Sequence, residues 1–216
     1  MGAADDRVTF HTEVLTDPQA RVLDAVAPIA RAGGFYLAGG TAAALRFGHR
    51  RSEDFDWFAA EVRRPEVLAA EIRRAGLVLD RLELAAGTVN CRIDGVKVSF
   101  LEYPYSLLAA ADQWPAKQVA LASVRDLGAM KLLAVAQRGS RKDFVDVHEL
   151  LRQGTTLPDM LDDFRTKFRA DTISVLRGLV YFDDADLEPM PEMIASLDWL
   201  AVKRLLQDAV QGVLRP

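Results

Sequence analysis

Gly39-Gly40-Thr41 … Ser52-Glu53-Asp54-Phe55-Asp56-Trp57 is the stretch on which the reading of this 216-residue chain turns. Just before it, Phe35 to Ala38 is a short apolar run that reads as a buried strand. Residues 54–58 alternate in a way that suits a second strand. Residues i and i+2 of a strand project from the same face, so Asp54 and Asp56 point together, ~6–7 Å apart along the backbone. Two carboxylates so placed can converge on a hard cation. Mg2+ is the natural occupant, because it takes oxygen ligands and keeps its remaining positions for water and substrate phosphates. The glycines supply the complementary part. Between a strand and a helix start they let the backbone come close to a ligand, and the helix N-terminus offers free N–H groups to a phosphate. No Gly-Lys-Ser/Thr follows, so this is not a Walker A loop, and the third glycine of a dinucleotide fingerprint is absent. Taken alone, an Asp-x-Asp is a solvated strand edge and a Gly-Gly-Thr is a turn. In this order, with 14 positions from Gly40 to Asp54, they form a specific signal.

Working outward, Asp17-Pro18 is expected to cap and start a helix that runs through Leu23, Val26 and Ile29 to Gly33-Gly34. A helix is expected over 42–47, and another from Pro65 to near Gly76. Strands follow at 77–84, 89–93 and 96–102, the last two joined by the Asp94-Gly95 hairpin signal. From about residue 106 the pattern reads as helical. Ser123 with Asp126 resembles a capping box opening a helix to Arg138, and Ser140 with Asp143 repeats it for a helix to Gln153. Further helices are expected from Pro158 and over 173–181. An acidic loop at 183–191 then precedes a last helix over 196–213, with Leu197, Trp199, Leu200 and Leu205 on its core side. Hairpins stop and helices begin near 103–115, which predicts an α+β domain over 1–110 and a helical domain over 111–216.

Composition bounds the chemistry. Half of the residues are hydrophobic and 27% are charged, as in an ordinary globular protein. A net charge of -4 argues against coating nucleic acid by bulk charge. The single Cys91 excludes an intramolecular disulfide and a Cys-rich zinc site, and is expected half-buried on its strand. His11, His49 and His148 are too few for a dedicated histidine metal site, so metal chemistry falls to carboxylates. Met1 to Val8 is charged and shows no signal core, and no apolar run approaches the ~18 residues of a membrane span, so a cytoplasmic setting is expected.

Two ordered motifs then carry a resemblance. Tyr36-Leu37-Ala38-Gly39-Gly40-Thr41-Ala42-Ala43-Ala44-Leu45 with Gly48-His49-Arg50-Arg51-Ser52-Glu53-Asp54-Phe55-Asp56 resembles the first motif of the AbiEii/AbiGii abortive-infection toxins, a branch of the polymerase-β-like nucleotidyltransferases. Asp126-Leu127-Gly128-Ala129-Met130-Lys131, followed by Arg138-Gly139-Ser140-Arg141-Lys142-Asp143-Phe144-Val145-Asp146, resembles that family's lysine helix and its Lys-Asp-x-x-Asp segment. The resemblance covers about residues 35–151. It implies a mixed sheet with flanking helices, followed by a helical region, and transfer of NMP from an NTP to an acceptor hydroxyl. Asp54 and Asp56 would hold Mg2+ and act catalytically with Lys131. Gly39, Gly40, Thr41, Arg50, Ser52, Lys142, Asp143 and Asp146 would serve the nucleotide. The acceptor would be RNA such as tRNA, and a cognate antitoxin protein would be a partner.

One departure stands out. The superfamily usually carries a third carboxylate on a later strand. Here that strand reads as 96–100, with Val96, Val98 and Phe100 facing the core and Lys97 and Ser99 on the other face. Ser99 occupies the place of the third acid, and a hydroxyl cannot deprotonate an attacking hydroxyl. Other residues have plain structural readings as well. Asp146 is spaced to pair with Lys142 at i,i+4, Lys131 could snorkel from an apolar helix, and Arg46, His49, Arg50 and Arg51 could either meet a triphosphate or RNA backbone or form a solvated loop paired with Glu53 and Glu61. Three functions therefore compete: a nucleotidyltransferase acting on RNA, a catalytically degraded relative that binds nucleotide or protein, and a transferase acting on a small hydroxylated molecule.

Overall fold

The computed structural model describes residues 9–62 and 64–215. The charged stretch Met1–Val8, in which no signal core is read, lies outside the described residues. The chain builds a mixed sheet of seven strands among the described residues, in the order β3-β4-β5-β2-β1-β7-β6, with helices against it. In chain order, after a 3-10 turn at Thr12–Val14, the elements are α1 (Asp17–Ala32), β1 (Tyr36–Ala38), α2 (Gly39–Phe47), β2 (Asp54–Ala59), α3 (Pro65–Arg74), β3 (Leu79–Ala85), β4 (Thr88–Ile93), β5 (Val96–Glu102), β6 (Asp112–Trp114), β7 (Val119–Leu121), α4 (Val124–Gln137), α5 (Arg141–Arg152), α6 (Leu157–Phe168), α7 (Ile173–Gly178), α8 (Asp183–Asp186) and α9 (Trp199–Leu214). Among the described residues no helix is long and apolar enough to cross a membrane.

Local chemistry explains most of these bounds. The cap of α1 is Thr16 rather than Asp17. Its hydroxyl accepts from the Gln19 backbone N–H while the Gln19 side chain takes the Thr16 N–H, a full capping box with Pro18 in the first turn. α2 begins at Gly39, three residues before the expected start, and Gly39 takes a positive φ of 68° that favours glycine. Ser123 caps α4 as expected, accepting from the Asp126 N–H. Ser140 makes no such cap on α5, and its hydroxyl donates to Asp143 instead. Two strands, β6 and β7, stand where a helical pattern was expected, and the four-residue α8 lies in the expected acidic loop.

β2 lies near the middle of the sheet, antiparallel to β1 and parallel to β5. Its burial alternates, with Phe55, Trp57 and Ala59 buried and Asp54, Asp56 and Phe58 half-buried. Phe55 and Trp57 face the first core together with Leu37, Val98, Phe100 and α1. A second core gathers Leu132, Val135, Phe144, Phe164 and Val202 from α4 to α9. α4 joins the two, with Leu127 in the first and Leu132 in the second, so it is buried on more than one side. β7 pairs with β1, which carries the sheet past residue 110. On α9 the buried side is Val202, Leu206 and Val210, whereas Leu200 is exposed and Trp199 and Leu205 are half-buried.

Candidate nucleotidyl-transfer site

The site forms where β1 turns into α2. Gly39 and Gly40 stand where a side chain would crowd its neighbours. A Cβ on Gly39 would lie 2.7 Å from Asp56 Oδ2, and one on Gly40 would lie 2.7 Å from Arg50 Nη2 and 2.9 Å from Ser52 Oγ. The first turn of α2 is thus pressed against one acid of β2 and one guanidinium. Thr41 is buried and its hydroxyl donates to the Asp54 backbone carbonyl, which ties α2 to the start of β2. The triphosphate contact that the resemblance implies for Thr41 falls on a residue whose hydroxyl proton is engaged by the backbone. The Gln19 amide donates to the Ser52 carbonyl and fixes the loop between α2 and β2.

Asp54 and Asp56 share a face of β2, as their spacing predicts. Burial, and then the charge of Asp54, pushes the Asp56 carboxyl above the usual range, with Lys97, Lys131 and Arg138 pulling it back. Two carboxylates held side by side at such a cost fit a hard cation, whose charge would remove both penalties. In register on β5, Lys97 stands beside Asp54 and Ser99 beside Asp56. The expected place of Ser99 is therefore the observed one. Among the described residues no group of three or more His, Cys, Asp and Glu is placed to hold a metal ion.

Behind the acids lies a buried ionic network. Asp146 Oδ1 accepts from Arg50 Nε at 2.7 Å and lies 2.7 Å from His49 Nε2, and its Oδ2 accepts from Arg50 Nη2 at 2.8 Å and lies 2.6 Å from Lys131 Nζ. Asp143 accepts from Arg138 at 2.7 and 2.9 Å, from Ser140 at 2.8 Å and from Lys131 at 3.2 Å. Both carboxylates are fully buried. Burial pushes Asp146 upward, but the charges of Arg50 and Lys131 and the bonds from Arg50 and His49 outweigh it and hold the group well below the usual carboxylate range. Asp143 is lowered in the same way, chiefly by Arg138 and Lys131 working against burial. Neither carboxylate is exposed to solvent. The two acids fix three cations, and Lys131 and Arg138 act electrostatically on Asp56.

The basic cluster is held by ion pairs. Arg46 pairs with Asp112, Arg50 with Asp146 and Arg51 with Glu192. Lys142, expected to pair with Asp146, is exposed, and Asp146 turns inward. Arg138 and Lys97 act on the acid pair beyond the residues that the resemblance implies for the site. The alternation of β5 put Lys97 on the face of Ser99, and that was the available signal. Cys91 is buried rather than half-buried, and burial pushes its thiol up to about 11.

Arg50, Ser52, Asp54 and Arg138 line a cleft of about 520 Å³, a size usual for small ligands. One wall is the loop from Arg50 to Asp54, a second is the α4–α5 junction with Arg138, Ser140 and Lys142, and the third is Glu188 to Glu192. That third wall is pinned in place. The Arg51 N–H donates to the Glu192 carbonyl at 2.8 Å, the Ile194 N–H to the His49 carbonyl at 3.0 Å, and the Arg141 N–H to the Glu188 carboxylate at 2.7 Å.

Known proteins share this fold. A solved structure from Helicobacter pylori, JHP933, is 17% identical, with a TM-score of 0.59 over 94% of this chain and 93% of that one. MenT4, a nucleotidyltransferase toxin of Mycobacterium tuberculosis, is 14% identical, with a TM-score of 0.53 over 93% and 87%. At such identities these two show the fold. An uncharacterized protein of Aquifex aeolicus is 34% identical over 203 residues, which span 90% of this chain and 98% of that protein. Residues 102–211, which include Lys131, Asp143 and Asp146, match the model of the nucleotidyl transferase AbiEii toxins of type IV toxin–antitoxin systems. The chain therefore belongs to the AbiEii nucleotidyl transferase toxin family.

Proposed function

We propose that this protein transfers NMP from an NTP to an acceptor hydroxyl. The observation that carries the reading is the pair Asp54 and Asp56, set on one face of β2 against the glycine turn and the cations fixed by Asp143 and Asp146. The sheet, which runs on past residue 110 through β6 and β7, supplies the acid pair and the turn, and the helices from α4 onward supply Lys131, Arg138 and Lys142. Asp54 and Asp56 would hold Mg2+, which when bound neutralises phosphate charge at the reacting centre. The backbone of Gly39 and Gly40, with Ser52, cradles the triphosphate. Arg50 braces that turn from behind, since its guanidinium is already held by Asp146. Lys131 and Arg138 place positive charge where the leaving pyrophosphate develops negative charge. The acceptor oxygen bonds to the α-phosphorus, and the bond from that phosphorus to the bridging oxygen breaks, its electron pair leaving with pyrophosphate. Positioning and charge account for most of the barrier lowered in such transfers.

RNA, with tRNA as the leading case, is the proposed acceptor. An acidic chain needs local positive charge to meet it, and the exposed Arg138 and Lys142 at the cleft provide some. A toxin of this kind would work in the cytoplasm opposite an antitoxin protein. The test is to incubate the protein with Mg2+, each labelled NTP in turn and total tRNA, beside an Asp54→Ala/Asp56→Ala variant. Label on RNA that vanishes in the variant supports the reading, and NTP binding without turnover on any acceptor overturns it. That second outcome would favour a nucleotide-binding relative without catalysis, the alternative suggested by Ser99.

A further inference from the structure

β2 has two neighbours, and they divide the site. On one side runs β1, which leads into Gly39 and Gly40. On the other runs β5, with Lys97 beside Asp54 and Ser99 beside Asp56. Neighbours in register point to the same face of a sheet, so Lys97 and Ser99 extend the row of the two acids. If the triphosphate lies over the glycine turn, the acceptor comes over β5. There Lys97 Nζ lies 3.3 Å from Asp54 Oδ2, with its side chain half exposed.

We propose that this site takes a single divalent cation, and that the Lys97 ammonium supplies, on the acceptor side, the positive charge a second cation would bring. The inference rests on the nucleotidyl-transfer reading above. Two divalent cations about 3.5–4 Å apart repel strongly and need several carboxylates between and around them. Here Lys97 already neutralises part of Asp54, and the adjoining position holds Ser99. A second divalent ion would meet an ammonium and a hydroxyl in place of an acid, and its lost hydration would go uncompensated. A lysine head is a compact charge that needs no ligand set. In the transfer step the acceptor oxygen bonds to the α-phosphorus as pyrophosphate leaves with the electron pair of the broken bond. The hydroxyl proton passes to water, because Ser99 cannot take it. Lys97 stabilises the negative charge that gathers on the attacking oxygen.

The test uses the full chain with Mn2+ in place of Mg2+ and an NTP analogue whose α,β bridge is a methylene, followed by electron paramagnetic resonance and by metal retained on gel filtration. One Mn2+ per chain with an uncoupled spectrum is expected. A spin-coupled pair of Mn2+ ions in the wild type overturns the inference while leaving nucleotidyl transfer intact. Failure to retain Mn2+ with the analogue strikes at the nucleotidyl-transfer reading itself, and the inference falls with it. A Lys97→Met variant adds a second readout at a half-exposed position, where folding is not at stake. Mn2+ should bind about three- to tenfold tighter once the competing charge is gone. Transfer at saturating metal should fall about tenfold or more. Tighter metal binding with unchanged transfer would make Lys97 a surface partner of Asp54 only, and would also overturn the proposal.

Discussion

Asp146 shows how far a residue's role can lie from its sequence neighbourhood. Its spacing from Lys142 suggests an ordinary i,i+4 pair on a helix surface, worth a few tenths of a kcal/mol. In the fold it sits on the buried side of α5 and takes Arg50, which is 96 positions away, together with His49 and Lys131. A carboxylate so enclosed is tolerable only because every oxygen is matched. Asp146→Asn keeps the shape and removes the charge, leaving Arg50 and Lys131 underneutralised in the interior. We expect it to cost about 3–5 kcal/mol in urea unfolding. Lys142→Ala at the exposed neighbour should stay within about 0.5 kcal/mol. Equal losses in the two variants would contradict the inward orientation. The identity of Asp54 and Asp56 was readable because strand parity is a local property. The partners of Asp143 and Asp146 were not, because ionic partners in a core are chosen by packing.

At the scale of elements, the contact of α2 with β2 shapes the site. The helix starts at Gly39 so that its first turn can lie against Asp56 and Arg50. Gly40→Ala would push a methyl group toward Arg50 and Ser52, which are held by Asp146 and Gln19. The expected result is a loss of about 1–3 kcal/mol from overpacking, with a smaller rise in Tm on adding NTP than in the wild type. Thermal melts with and without NTP check both. Long elements such as α1, β2, β4, β5, α4 and α5 announced themselves by period and by turn residues. β6 and β7 did not. Each has three residues, too few for an alternation to register, and β7 becomes a strand by pairing with β1, more than eighty positions back along the chain.

For the whole molecule, two cores meet along α4, and the ionic network lies close to where they join. This places a pH dependence on global stability. Asp143 and Asp146 are both held below the ordinary carboxylate value in the folded state. Their contribution is complete above the unfolded value of about 3.9 and is lost as pH falls through the folded values. Asp56 runs the other way, because a raised folded value costs stability at neutral pH and relieves that cost on protonation. The denaturant midpoint should therefore hold between about pH 5 and 7 and fall steeply below about pH 4, since two lowered acids outweigh one raised acid. A steady rise in stability down to pH 3 would refute this balance. The sequence by itself determined the class of the protein, the acid pair and the glycine turn, because helix caps, strand parity and glycine's freedom act over a few residues. Only the tertiary structure decided that Asp143 and Asp146 are buried clamps, that Thr41 anchors β2, and that Lys97 pairs with Asp54 from β5. Those roles depend on which distant segments pack together and on the charge each buried group must find there.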